Sequence, residues 1–89
     1  MKGFNGSMFI DSDRVDGGRH QVKVCVQAKS VAQMVRITGE SRGSINNYWS
    51  DCLNDEMIEA LRHHPEGTML VRRWHPKDTI DGQTGWVVA

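Results

Sequence analysis

The sequence predicts an α+β fold: a small antiparallel sheet of about three strands, with three short helices between the first and second strong strands. Three observations predict it. Val22, Val24 and Val26 alternate with Lys23, Cys25 and Gln27, the two-residue period of a strand. From Ser30 to Pro65 the apolar residues instead recur at three- and four-residue spacing, behind the cap-forming residues Ser30, Ser41 and Asn54. The chain then returns to strand-like runs over Met69–Trp74 and Gly85–Val88. Helices inserted in this way are expected to cover one face of the sheet.

Taken in order, residues 1–7 read as a flexible polar tail. Gly6-Ser7 ahead of Met8 has the look of an expression-vector remnant, which would make Met8 the natural start and 8–89 the folded domain. Met8-Phe9-Ile10 is a short apolar run that can pair with the strand at 21–27 across the loop of three aspartates and Gly17-Gly18. Ser30 caps a helix whose stripe is Val31, Met34 and Val35, and Thr38-Gly39 stops it, glycine being suited to the left-handed conformation. Ser41 caps a second helix, in which Ile45, Tyr48, Trp49 and Cys52 recur. Asn54 starts a third, with Asp55 and Glu56 at its positive end and Arg62, His63 and His64 at its negative end. Pro65 and Gly67 end it, and Asp81-Gly82 signals a tight turn. The expected core is Val22, Val24, Val26, Val31, Met34, Val35, Ile45, Trp49, Ile58, Leu61, Val71 and Trp86. Each full burial contributes about 1.5–3 kcal/mol before entropy, so a homodimer would help so small a core.

Eighty-nine residues hold one such domain and no second core. Eleven basic residues balance eleven acidic ones, which excludes coating nucleic acid or anionic membrane by bulk charge. Two cysteines exclude a disulfide framework. No apolar stretch reaches the roughly 20 residues of a membrane span and no signal-peptide core is present, so the expected setting is the cytoplasm. No cofactor is expected.

Residues 34–49 carry the one motif with functional content. Val35 precedes Gly39 by four positions, Ile45 follows it by six and Tyr48 by nine, and Ser41 stands where a second helix needs its cap. This pattern resembles the helix-turn-helix of bacterial and phage DNA-binding proteins. Two helices crossing at a wide angle need a small contact residue, a glycine at positive φ and an apolar anchor behind the second helix. Val35 stands where that family usually has alanine, and Gly43 inside the second helix costs about 1 kcal/mol relative to alanine. The resemblance implies duplex DNA as partner. Ser41, Arg42, Ser44, Asn46 and Asn47 would face the groove, where arginine reads guanine and asparagine reads adenine, and Lys29 and Arg36 would meet phosphates. The charge pattern agrees: residues 19–48 hold five basic residues and one acid, a net of +4, whereas residues 49–66 net −4.

A second reading is a small protein-binding module, of the kind mobile elements use to block a host complex. Its contacts would be Asp51, Asp55 and Glu59 on the acidic segment, or the basic-aromatic cluster Arg72, Arg73 and Trp74, which could equally stack a base. Other chemistries find no support. The spacing of Asp11, Asp13 and Asp16 does not match a calcium loop, the histidines and cysteines lack zinc spacing, and no nucleophile–base pair is set by spacing. Cys25 and Cys52 read as small core residues, and the chain is expected not to be an enzyme.

Overall fold

A computed structural model describes residues 1–89. The sheet has four strands in the order β1 (Gly3–Phe9), β2 (Gln21–Gln27), β3 (Met69–Arg72), β4 (Val87–Val88), and every neighbouring pair is antiparallel. Helices α1 (Val31–Thr38), α2 (Arg42–Tyr48) and α3 (Asp55–Leu61) lie between β2 and β3.

The added strand corrects the expected tail. From Gly3 onward the N-terminus pairs with β2 over seven residues, Gly3 opposite Gln27 through Phe9 opposite Gln21. Asn5, Gly6 and Ser7 between Phe4 and Met8 interrupt the apolar alternation and hid this strand, yet its two glycines mark close approaches. A Cβ on Gly6 would stand 2.7 Å from the Trp49 ring, and one on Gly3 would stand 2.3 Å from the Val26 carbonyl oxygen. Glycine here lets neighbouring groups lie directly on the backbone.

The helices also do not share one face. Phe4, Val22, Val24, Val26 and Val71 turn to one side, where Met34 of α1 and Ile45 of α2 bury against them with Trp49 and Ile80. Cys25 and Leu70 turn to the other side, where Met57 and Leu61 of α3 cover them. Three successive residues of β2, Val24, Cys25 and Val26, are fully buried, which requires cover on both faces. Of the expected core, Val31, Val35, Ile58 and Trp86 are only half-buried. Phe4, Met57, Leu70 and Ile80 are buried without having been expected. Cys52 is exposed, not in the core.

The loop between β1 and β2 is clasped to the one between β3 and β4. Val15 bridges Ile80, Arg14 Nη2 donates to Asp81 Oδ2 at 2.7 Å, and Arg73 pairs with Asp16. Arg73 is the only charged residue buried. Its guanidinium also donates to the Thr79 carbonyl oxygen at 3.1 Å and stands 3.7 Å from Asp78, so its charge is compensated as burial demands. The expected tight turn forms: Asp81 and Gly82 both take positive φ, 53° and 77°, between the bridged residues Ile80 and Gln83. No helix is long and apolar enough to cross a membrane.

Candidate functional site

The α1–α2 hairpin is fixed by its own side chains. Ser30 Oγ accepts from the Gln33 N–H at 3.1 Å, while Gln33 Oε1 accepts from the Lys29 N–H at 2.7 Å, so donors at the start of α1 are satisfied from both sides. Thr38 Oγ1 donates back to the Met34 carbonyl at 2.8 Å and accepts from the Glu40 N–H at 3.1 Å, closing the end of the helix. Gly39 follows at φ 75° and ψ 1°, with its N–H on the Val35 carbonyl. A Cβ there would meet nothing within 4 Å, so conformation and not space selects glycine. Ser41 Oγ then accepts from the Ser44 N–H at 3.1 Å and caps α2.

Glu40 ties this turn to the body of the protein. One carboxylate oxygen accepts from Ser44 Oγ at 3.0 Å, the other from Trp49 Nε1 at 2.9 Å. Both ends of α2 are therefore held by one residue, and Trp49 is pinned over Gly6 of β1. Ile45, 1% exposed, anchors the middle of α2.

What remains outward is polar. Lys29, Arg36, Arg42, Asn46 and Asn47 are all exposed, and none of their side chains makes a hydrogen bond or ion pair within the chain. Arg42 and Asn46 are one helical turn apart and so share a face. Ser41 and Ser44 differ: their hydroxyls are engaged in the turn and with Glu40. Beside Asn46 a hollow of about 460 Å³ is lined by Lys2, Ser30, Ser50 and Asp51 among others. Lys2 thus joins the α2 surface, a placement sequence reasoning missed because residues 1–7 read as tail. On the other flank of α2, Met8, Phe9, Tyr48 and Trp49 line an apolar groove of about 450 Å³ together with Thr38 and Glu40. Tyr48, 78% exposed, stands at its rim.

The residues of the protein-binding reading do not form one patch of free groups. Arg73 is buried as described. Arg72 stacks on Trp86, its guanidinium carbon 5.5 Å from the ring centroid, with Nε 3.3 Å from Glu56 Oε1. Glu59 pairs with Arg62 and stands 3.7 Å from His63. Only Asp51, Asp55 and Trp74 stay exposed without an ion-pair partner. No three His, Cys, Asp or Glu side chains converge as a metal site would require. Burial, with the nearby Glu56 charge, pushes the Cys25 thiol up to about 12, so it carries almost no thiolate at neutral pH.

No protein-family model, curated protein or solved structure matches the chain.

Proposed function

We propose that the chain is a small DNA-binding accessory protein that presents α2 to duplex DNA through its helix-turn-helix-like hairpin. One observation carries this reading: Lys29, Arg36, Arg42, Asn46 and Asn47 stand exposed on and around one hairpin with no side-chain partner inside the protein. Arg14, Arg62, Arg72 and Arg73, by contrast, each have a carboxylate partner. Arg42 and Asn46 are the base readers, and Lys29 and Arg36 the phosphate contacts, with Lys2 added beside Asn46. A titration of duplex DNA at rising salt tests this. Binding weakens steeply with salt, and Arg42→Ala lowers affinity by about 1–3 kcal/mol at a base contact. Absence of duplex binding at low salt removes the reading.

The protein-binding alternative is favoured by a different observation. β1 is an edge strand, and only Asn5 has its outer edge covered, exchanging both backbone hydrogen bonds with Ser50 at 2.9 Å. By the two-residue period, Ser7 and Phe9 turn their backbone groups to the same open edge, beside the apolar groove. An extended segment of a partner protein would fit there. A stable protein complex, from a chain that retains no DNA at low salt, would move the assignment to this reading.

A further inference from the structure

The sheet face opposite α1 and α2 is only partly covered. α3 packs over Cys25 and Leu70 and leaves Ser7 and Phe9 of β1 and Gln21 and Lys23 of β2 beyond it. The register places these four on the Cys25 side, and Gln21 Nε2 donates to Ser7 Oγ at 3.3 Å across the strands. β3 ends at Arg72, opposite Lys23, and Trp74 follows in a bend, where it lines one hollow together with Arg19 and Gln21. Phe9 stands opposite Gln21 across β1 and β2, and Gln21 shares a hollow with Trp74, so the three side chains line one surface. Phe9 is 66% exposed and Trp74 54%.

Single exposed apolar residues are ordinary on a protein surface, but this pair comes with matching chemistry. Lys23 Nζ stands 5.6 Å from the Trp74 ring centroid. Two hollows of about 290 Å³ each flank this surface, one beside Trp74 and His75, the other beside Phe9 and His20, and both are lined by Arg19 and Gln21. Neither Arg19 nor Lys23 has a carboxylate partner. The one carboxylate lining either hollow, Asp78, faces the buried Arg73 guanidinium.

We propose that this face is a platform for single-stranded nucleic acid. Bases stack on Trp74 and Phe9, the Gln21 amide meets a base edge, and Arg19 and Lys23 hold the phosphates between them. Duplex DNA does not suit the surface, because its bases are already stacked on one another and leave the two rings without a partner. Phe9 and Gln21 also reach the groove beside Tyr48, but the platform uses none of the α2 side chains assigned to duplex DNA and does not rest on that reading.

The test uses labelled twelve-residue oligomers of dT and rU, and a duplex of equal length, read by anisotropy at low salt. The wild type binds the single strands, and their relative affinity decides between DNA and RNA. Trp74→Ala and Phe9→Ala each weaken single-strand binding about tenfold or more. Lys23→Gln flattens its salt dependence. Single strands also quench the tryptophan fluorescence of the wild type, since Trp49 is buried and Trp74 is the most exposed of the three tryptophans. Both aromatic side chains are exposed, so thermal unfolding of the variants should match that of the wild type. No single-strand binding by the wild type, or affinity unchanged in both folded aromatic variants, overturns the proposal. Duplex binding that Arg42→Ala alone removes would leave the α2 reading standing without it.

Discussion

The two faces of the sheet differ in how completely they are covered. On one, α1, α2 and Trp49 join the strands in a cluster of ten buried residues running from Phe4 to Ile80. On the other, a single seven-residue helix completes a cluster of four with Met57 and Leu61 over Cys25 and Leu70, and the end bearing Phe9 and Trp74 stays open. The first face carries most of the apolar burial, and hence most of the stability. Its polar residues of interest sit on the outer side of the helices. The second face leaves strand side chains themselves available for contact. A small domain can thus present a helix surface on one side and a sheet surface on the other, because one well-filled layer suffices to hold the strands.

The sharpest test of this contrast is Trp49→Ala. It removes the ring packed on Gly6 and frees Glu40, and should cost about 3–5 kcal/mol, read as a fall in thermal midpoint. A loss below about 1 kcal/mol would show that the better-covered face does not carry the fold. Leu61→Ala, on the thinner side, should cost less, about 2–3 kcal/mol, since its cluster has only three other buried members. Hydrogen exchange should then speed up in α3 while α1 remains protected. Equal acceleration in both helices would mean that the two layers unfold as one unit.

A third test concerns the clasped loops. The Arg14 hydrogen bond holds the Asp81 carboxyl below its usual range. At Asp16 burial pushes upward, but hydrogen bonds from the Thr79 and Asp16 backbone, with the Arg73 charge, win and lower it. A carboxylate depressed in the folded state contributes stability above its unfolded pKa and loses it as pH falls through the folded value. Stability should therefore decline below the ordinary carboxylate range, and Asp16→Asn combined with Asp81→Asn should flatten that decline. An acid limb of unchanged slope would remove the clasp as its source. The smallest effect is chemical: at pH 8 the exposed Cys52 should react with a thiol reagent at once and the buried Cys25 only on unfolding. Two fast-reacting thiols in the native protein would show that α3 opens freely.

Much of the helical region was legible in the sequence. Ser30, Ser41 and Asn54 each cap a helix by accepting from the N–H three residues on, and Gly39 takes the left-handed conformation. These are local matters: a hydroxyl, amide or missing Cβ decides them within a few residues. The alternation of β2 and the Asp81-Gly82 turn were legible for the same reason. The exposure of Asn47 and Asn46 could be read from spacing, since a helix with Ile45 inward turns the first away and the second to its flank, whereas Arg42, three residues before Ile45, is exposed because it opens the first turn.

Tertiary structure alone decided the rest. Gly3–Phe9 has a glycine where the apolar alternation of Phe4 and Met8 would continue, and it becomes a strand because β2 offers an edge and the Trp49 ring lies on the bare backbone of Gly6. The face that α3 covers could not be read from its stripe, because an amphipathic helix specifies that it must bury one side and not against what. Arg73 reads as an exposed cation beside Trp74, yet it is buried because Asp16, 57 residues away, and the Thr79 carbonyl meet it there. The open surface of Phe9, Gln21 and Trp74 exists only through the pairing of β1 with β2 and the bend that follows β3. Local chemistry fixes the caps and turns, whereas the choice of partner surface depends on contacts between residues far apart in the chain, which periodicity does not encode.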